Sequence, residues 1–176
     1  MPGPILNIDD VEFRDFGHGA PPMYPGATPP REEFQAKLGD IAGRIGGQKL
    51  GYGLVVLPPG KRGWPAHSHR VNEEAFFIFE GKGEVRIGKE IYPVKKGDFI
   101  ANPPGGAETA HQIRNTSKTA DLKYLAISTR ESPEIVDYPD SGKIGVSLVR
   151  AGPDGKPQRW WHLSSSEITL TYWDGE

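Results

Sequence analysis

The sequence predicts an all-β fold, and three observations support that prediction. Short apolar runs alternate with turn-forming segments from residue 51 to residue 128. Glycine and proline are frequent, with 23 Gly and 17 Pro, as expected where many short strands are joined by tight turns. Helical periodicity supports a single short helix. With 176 residues, of which 36% are apolar, the chain is expected to form one structural domain around one core.

Charge and cysteine content limit the classes of partner and of metal site. With 21 basic and 23 acidic residues the formal net charge is -2, which offers no global positive field for nucleic acid or an anionic membrane. There is no cysteine, so a metal would have to be held by imidazole and carboxylate groups. The first residues lack the pattern of an export signal, and no apolar run is long enough to cross a bilayer. We therefore expect a soluble, cytoplasmic protein.

Residues 1–49 are expected to form an irregular arm followed by a short helix. The arm is dense in glycine and proline, and proline disfavours both helix interiors and central strands. Pro30 suits the first turn of a helix, and Phe34, Leu38 and Ile41 fall on one face of it. We predict one helix, running from Pro30 to about Leu38 or Ile41.

Residues 50–130 carry the strand pattern. Turn residues separate seven short apolar runs at the spacing of a β-barrel or β-sandwich. The runs are GLVVLPPG, EEAFFIFEGKG, EVRIGKE, IYPVKKGD, FIANPPGG, HQIRN and LKYLAIS. Residues 131–176 are expected to form an extension with two more strands, GVSLV at 145–149 and EITLTYW at 167–173. This extension could pack on the same barrel or on a partner subunit.

His67 and His69 form the first part of a candidate metal site. In an extended strand, residues two apart point to the same side, so both imidazoles face one way and Ser68 faces the other. Glu74 follows at the start of the next predicted strand. An ionised carboxylate in an apolar interior is costly unless a cation or a metal compensates it. Two nearby imidazoles make a metal plausible.

Alternation along two predicted strands extends this candidate site. Glu74 begins an inward row that continues with the apolar Phe76 and Ile78. His111 shares a strand face with Ile113, and could complete the set from the opposite sheet. Each residue also has a simpler explanation: the histidine pair could be solvated, the glutamate could lie in an exposed turn, and His111 could be a hydrogen-bonded core residue.

The glycines and prolines around these residues resemble the two cupin motifs, G-x5-H-x-H-x3,4-E-x6-G and G-x5-P-x-G-x2-H-x3-N. The first motif is matched by His67, His69, Glu74 and Gly81. The second is matched by Gly97, Pro103, Gly105, His111 and Asn115. In the first motif, six residues instead of five separate Gly60 from His67. In the second motif, five residues instead of two separate Gly105 from His111, so the loop beside the candidate site is enlarged.

The resemblance implies a cupin jelly-roll β-barrel over about residues 50–130, with the arm and helix before it and the extra strands after it. It also implies that His67, His69, Glu74 and His111 bind one divalent transition metal. Nitrogen and carboxylate ligands suit Mn, Fe, Ni, Co, Cu or Zn. On an ion that prefers six ligands, four protein ligands would leave two adjacent coordination positions open for water or for a chelating small molecule.

Three classes of function are compatible with such a site: a metal-dependent isomerase or epimerase, an iron-dependent dioxygenase, and a non-catalytic small-molecule binder or sensor. YPDSGK at 138–143 and YWDGE at 172–176 are similar to a subgroup of cupins labelled as sugar-phosphate isomerases. Glu108, in the enlarged loop, is the candidate base, although it could also be an ordinary exposed acid. The candidate substrate-binding residues are three cations and three apolar wall residues: Lys61, Arg62, Arg70, Phe76, Ile78 and Ile113.

We also expect a homodimer, because apolar terminal strands offer surface that one barrel need not cover. Arg159, Trp160, Trp161 and His162 form an aromatic and cationic segment typical of interfaces, although it could instead pack on its own barrel. His18, in the arm, is expected to face solvent. Neither His18 nor His162 is predicted to be a metal ligand.

Overall fold

The computed structural model describes residues 3–22, 26–165 and 173. Within these ranges the chain forms thirteen strands and one short α-helix, α1. The bounds are β1 (Arg14–Gly17), β2 (Gln35–Asp40), α1 (Ala42–Ile45), β3 (Leu50–Leu57), β4 (Ser68–His69), β5 (Glu74–Glu80), β6 (Lys82–Ile87), β7 (Glu90–Lys95), β8 (Phe99–Asn102), β9 (His111–Asn115), β10 (Leu122–Thr129), β11 (Glu134–Tyr138), β12 (Lys143–Ala151) and β13 (Pro157–Ser165). In this part of the chain, no helix has the length and apolar character needed to cross a membrane.

Antiparallel strands form three sheets. A six-stranded sheet has the order β1-β2-β3-β10-β5-β8, a four-stranded sheet the order β13-β12-β11-β4, and a three-stranded sheet the order β7-β6-β9. The backbones of His67 and His111 join the two smaller sheets. The His67 N–H donates to the His111 carbonyl at 3.2 Å, and the His111 N–H donates to the His67 carbonyl at 2.8 Å. The smaller sheets thereby make one layer of the predicted all-β jelly roll.

The main core is built from the inward-facing positions of these strands. On β5, Phe76 and Ile78 are buried while Phe77 and Phe79 are only partly buried, as the alternation predicts. On β9, His111, Ile113 and Asn115 are buried and the residues between them are not. The cluster comprises Ala36, Val55, Leu57, Phe76, Ile78, Val85, Val94, Ile100, Ile113, Leu122 and Tyr124.

Asn115 closes the end of the core that is opposite His111. Its side-chain N–H₂ donates to the carbonyls of Leu57 and Ala120, both at 2.8 Å. Its side-chain oxygen accepts from the Ser117 N–H at 2.9 Å. The fully buried amide therefore fixes the loop between β9 and β10.

The seven predicted strand runs between residues 51 and 128 are confirmed by β3 and β5 to β10. The predicted helix is wrong. Gln35–Asp40 is strand β2, and the only α-helix in the described ranges begins afterwards, at Ala42. Pairing of Leu38 with Val55 of β3 places Ala36 in the core, which outweighs the local helical spacing. Gly39 lets Val11 pack closely on β2, because a Cβ there would lie 2.3 Å from the Val11 Cγ1 atom.

The C-terminal extension differs in part from the prediction. The first predicted strand, 145–149, lies within β12. The second, 167–173, lies outside the described residues except for Trp173. β11 and β13 were not predicted. β11 pairs with β4, whose His69 lies opposite Val136, so the described part of the extension joins the barrel through a strand that carries a site residue.

The predicted aromatic segment is part of β13, where alternation divides it between two faces. The rings of Trp160 and His162 stack with centroids 5.7 Å apart. Trp161 lies on the other face of the strand, where it is 39% exposed. In the arm, the His18 ring nitrogen Nδ1 lies 3.1 Å from the Pro30 carbonyl oxygen, far in the chain from the other histidines.

Candidate metal centre

The four predicted ligands come from three strand ends at one end of the core. His67 and His69 flank the buried Ser68 on the segment that forms β4. His111 begins β9, and Glu74 begins β5. The backbone bridge between His67 and His111 holds these two residues side by side. The strand pairing, not the sequence spacing alone, therefore brings the residues together.

The side chains converge on Glu74. Ligand atoms of His67, Glu74 and His111 all lie within 4.8 Å of one another. The Glu74 Oε2 atom is 2.9 Å from the His111 Nε2 atom and 3.5 Å from the His69 Nε2 atom. The His67 ring centroid is 4.7 Å from that of His111 and 5.1 Å from that of His69. The structure thus groups all four residues into one cluster, the His/Glu cluster.

Hydrogen bonding and burial prepare His67 to act as a ligand. Its Nδ1 atom is 2.9 Å from the Pro65 carbonyl oxygen, which fixes Nδ1 as the protonated nitrogen and leaves the Nε2 lone pair free. Burial, with a smaller contribution from the charge of His111, lowers the pKa of His67 to about 4. The imidazole is therefore neutral at neutral pH, as metal binding requires.

The cluster balances one carboxylate against several imidazoles. Burial alone would raise the pKa of Glu74, but the nearby rings of His111 and His69 hold it below its ordinary value. Burial alone would lower the pKa of His69, but Glu74 and Glu134 outweigh it and raise the value. Glu74 is thus ionised at neutral pH, and a cation at this place would be favoured.

Two imidazoles of the cluster are not fully satisfied by the protein. Both ring nitrogens of His69 and of His111 are buried without a well-aligned hydrogen bond, although Glu74 and Glu134 lie close to them. Buried polar groups are normally paired, because an unpaired one loses its hydration without compensation. Nitrogens in this state, around an ionised carboxylate, fit a bound transition metal by number, type and position.

Glu134 is a site residue that the sequence analysis missed. Its carboxylate is only 4% exposed, and its Oε2 atom lies 3.4 Å from the His69 Nδ1 atom, on the opposite side of the ring from Glu74. It accepts hydrogen bonds from the backbone N–H groups of Arg70, Val71 and Asn72. One carboxylate therefore braces the turn between His69 and Glu74, in the way that outer groups orient metal-binding imidazoles. Nothing in the local sequence distinguishes this acid from exposed ones.

The segment containing YPDSGK lies over the His/Glu cluster. The Tyr138 ring stacks on that of His67 with centroids 5.9 Å apart, and burial raises the pKa of Tyr138. Asp137 forms an ion pair with Arg70. Asp140 accepts two parallel hydrogen bonds of 2.8 Å from the Arg86 guanidinium. This segment therefore forms part of the rim of the site, a position that its sequence does not reveal.

The three predicted substrate-binding cations are not grouped. Lys61 pairs with Glu32 at 3.1 Å, and its carbonyl accepts from the Asn115 N–H, which places it at the closed end of the core. Arg62 donates to the Gln112 side-chain oxygen at 3.0 Å. Arg70 is at the rim, where it pairs with Asp137, and the charge of Arg62 acts on Asp140 of the rim. The structure therefore does not bring Lys61 to the cluster.

The predicted apolar wall lies beneath the cluster. The Phe76 ring contacts that of His111, with centroids 5.4 Å apart. Ile78 and Ile113 are buried deeper in the same core cluster. Tyr124, which was not predicted, is buried against Phe76, and burial together with the charge of Glu74 raises the pKa of its phenol.

Glu108, the candidate base, lies in the enlarged loop. Its Oε1 atom accepts from the Gly106 N–H at 2.8 Å. This hydrogen bond, with a contribution from the charge of Arg70, lowers the pKa of Glu108. The groups that lower this pKa include Gly106 and Arg70 but none of the four candidate ligands, and a carboxylate with a lowered pKa is a weak base. Its catalytic role stays a prediction.

Comparison with known proteins identifies the family. The family model described as a cupin domain matches residues 53–128. An uncharacterised protein from Methanocaldococcus jannaschii is 34% identical over 95 residues, which are 52% of this chain and 72% of that protein.

Two solved structures resemble nearly the whole chain. A protein from Acidithiobacillus ferrooxidans, provisionally named a sugar phosphate isomerase, is 25% identical, with a TM-score of 0.68 over 95% of this chain and 96% of that one. A cupin superfamily protein from Silicibacter pomeroyi, described as a sugar phosphate isomerase, is 23% identical, with a TM-score of 0.74 over 97% of this chain and 98% of that one. The match to the cupin-domain model, together with the barrel, the two motifs and these similarities, shows that the chain belongs to the cupin superfamily.

Proposed function

We propose that the chain is a metal-binding cupin whose centre binds a small polar molecule through two adjacent oxygens. The observation that carries the proposal is the His/Glu cluster, in which buried imidazole nitrogens without well-aligned hydrogen bonds surround an ionised carboxylate. The ligands would be His67, His69, Glu74 and His111. The metal would be one divalent transition ion, chosen from Mn, Fe, Ni, Co, Cu and Zn.

The activity we propose is that of an isomerase or epimerase acting on a sugar or sugar phosphate. A divalent ion bound in the cluster would polarise a carbonyl and stabilise an enediolate. Tyrosine is protonated at neutral pH and burial raises the pKa values of Tyr124 and Tyr138 further, so both phenols can donate hydrogen bonds. The provisional name of the Acidithiobacillus protein supports this class of substrate. A phosphate group has less support, since Arg70 is paired with Asp137 and Arg62 is hydrogen-bonded to Gln112.

One observation favours a second candidate, a non-catalytic binder. Glu108 is committed to the Gly106 N–H and has a lowered pKa, which does not suit a general base. A barrel that binds a metal and a ligand without a base would act as a receptor or sensor. An iron-dependent dioxygenase uses a similar set of ligands and is distinguished by its metal and by oxygen consumption.

Elemental analysis of untagged protein is the experiment that separates these functions. We expect close to one divalent transition metal per chain, lost in a His69→Ala variant. Mn or Zn without oxygen uptake supports the isomerase, whereas iron with substrate-dependent oxygen uptake supports the dioxygenase. Metal-free wild-type protein that also fails to bind added Mn²⁺ or Co²⁺ would contradict the metal centre.

Turnover is tested by proton exchange. Metal-loaded protein in D₂O is incubated with free aldoses and their phosphates, and proton NMR follows exchange at the carbon beside the carbonyl. Isomerisation through an enediolate exchanges this proton, so we expect deuterium incorporation that His69→Ala abolishes. If no substrate exchanges although the metal is bound, the binder replaces the isomerase.

The homodimer also remains a proposal. On β12 and β13, the sheet face that buries Val136 continues to Val149, Trp161 and Leu163, which are 51%, 39% and 40% exposed. A second copy could cover this apolar surface. Light scattering at micromolar concentration should give twice the chain mass, and the mass of one chain would contradict the proposal.

A further inference from the structure

Asn102, at the end of β8, presents an unpaired amide beside the His/Glu cluster. It lies directly opposite Glu74 in the antiparallel pairing of β5 with β8. Directly paired residues project from the same face of a sheet, with Cβ atoms about 4.5–5.5 Å apart. The next pair on this face, Phe76 and Ile100, is buried in the main core. The Asn102 side chain therefore points to the interior, next to the carboxylate on which the cluster converges.

The amide is buried and without a hydrogen-bond partner. Asn102 is 4% exposed, and neither its oxygen nor its nitrogen has a partner. The two other buried asparagines in the described ranges differ. Asn115 makes three hydrogen bonds, and Asn72 donates to Glu131 and Glu134 and accepts from Thr129. An unpaired buried amide destabilises the fold, so a structural role does not account for it.

The backbone holds this amide in a fixed place. Asn102 is followed by Pro103 and Pro104, and a residue before proline is confined to extended conformations. On the N-terminal side of these prolines, pairing with Glu74 of β5 holds the Asn102 backbone in the sheet. The amide can therefore donate from Nδ2 and accept at Oδ1 without reorganising, which favours binding of a ligand that offers both kinds of group.

The hydrogen-bonding groups of the amide indicate the class of ligand. A divalent ion in the cluster would be chelated by a molecule with two adjacent oxygens, such as the carboxylate and hydroxyl oxygens of an α-hydroxy acid. A carboxylate accepts hydrogen bonds and a hydroxyl donates one, so the Asn102 amide could donate to the first from Nδ2 and accept from the second at Oδ1.

We propose that Asn102 is a ligand-contacting residue that selects metal-chelating α-hydroxy acids or α-hydroxy carbonyl compounds. This inference rests on the proposed metal centre and deepens it. In this proposal the Asn102 amide, which is not a metal ligand, orients the bound molecule.

The test compares Asn102→Leu, which removes the polar atoms but keeps a similar branched shape, with wild-type protein. Three quantities are measured: the melting temperature of metal-free protein, the Kd for Co²⁺ from its visible absorption, and the Kd of glycolate for the Co²⁺ complex. We expect an unchanged or higher melting temperature, a Co²⁺ Kd within about threefold, and a glycolate Kd raised about tenfold or more, since a hydrogen bond in a buried site is lost.

Ser68→Ala is the matched control. The Ser68 hydroxyl is also buried and unpaired, but Ser68 faces away from the cluster. This variant should leave the glycolate Kd unchanged. Asn102→Ala serves as the second variant if Asn102→Leu does not fold, and it should raise the glycolate Kd in the same way.

The possible failures are distinguishable. Wild-type protein that does not bind Co²⁺ would overturn the metal centre and the role of Asn102 together. Normal Co²⁺ binding with the same glycolate Kd in wild-type and both Asn102 variants would overturn only the role of Asn102. A lower melting temperature of metal-free Asn102→Leu, or the absence of any glycolate complex in wild-type protein, would also overturn it.

Discussion

The two ends of the barrel core treat their buried polar groups in opposite ways. At one end, Asn115 is fully buried, and its three hydrogen bonds all go to the protein backbone. At the other end, the Asn102 amide has no hydrogen-bond partner, and the buried ring nitrogens of His111 and His69 have no well-aligned hydrogen bond, although Glu74 and Glu134 lie close to them. One strand connects the two ends, since β9 begins with His111 and ends with Asn115.

This difference indicates which end serves stability and which serves binding. A satisfied amide rigidifies the fold and holds a loop in place. Unsatisfied groups cost stability in the free protein, and they persist where a ligand compensates them. The closed end is therefore expected to respond to mutation through stability, and the open end through affinity.

The strongest test of this division removes a ligand from the open end. We expect His111→Ala to weaken Co²⁺ binding by more than about 100-fold, a larger loss than that of a residue that only supports a ligand. Isothermal titration calorimetry of metal-free protein with Co²⁺ measures this affinity. His162→Ala, which removes an imidazole stacked on Trp160, is the control and should bind normally. Co²⁺ affinity within threefold of wild type in His111→Ala would remove this histidine from the site.

At the closed end, Asn115→Ala should destabilise the fold by roughly 2–4 kcal/mol, because two buried carbonyls lose their donor. Urea unfolding of metal-free protein measures this free energy. The Co²⁺ Kd of the folded protein should stay within threefold of wild type. A normal unfolding free energy combined with weakened metal binding would reverse the roles of the two ends.

Glu134 connects the C-terminal extension to the open end, so its replacement should act on affinity. We expect Glu134→Gln to raise the Co²⁺ Kd by about 10- to 100-fold, because the His69 ring and the backbone of residues 70–72 lose one of two acceptor oxygens and a negative charge. The Kd is measured well below the melting temperature of the variant. Glu131→Gln changes a nearby exposed acid and should have no effect. An equal Kd in both variants would show that Glu134 does not orient His69.

The smallest effect is expected at the exposed rim. The Arg86 hydrogen bond lowers the pKa of Asp140, so the pair stabilises the fold above the ordinary carboxyl pKa and loses that contribution as pH falls through the folded value. Asp140→Asn should cost less than about 1 kcal/mol at pH 7, since the pair is partly exposed. Urea unfolding at pH 7 and pH 3 should show a smaller difference from wild type at pH 3. A difference that grows on acidification would contradict this explanation.

Some site residues could be predicted from the sequence because they obey local periodicity. His67 and His69 follow the two-residue repeat of an extended segment, and Glu74 heads a strand whose alternation is visible. Glu134 and Tyr138 could not be predicted this way. They reach the cluster because β11 pairs with β4, and the partner of a strand is not encoded within that strand.

The role proposed for Asn102 could not be predicted from the sequence either. It stands within a matched motif, yet its residue type gives no sign that its amide is unpaired. That property depends on the register between β5 and β8 and on burial from both sides. The incorrect helix has a related cause, since the pairing of β2 with β3 overrode the local spacing.

The sequence by itself determined the all-β class, the positions of the barrel strands and the four candidate ligands. It did so because alternation of polar and apolar residues, turn residues and motif spacing are properties of neighbouring positions. Only the tertiary structure decided which groups stand unpaired around those ligands, which acid supports His69 and which predicted cations lie far from the site. These features depend on contacts between strands distant in the chain, and it is such contacts that set burial, hydrogen bonding and charge at the centre.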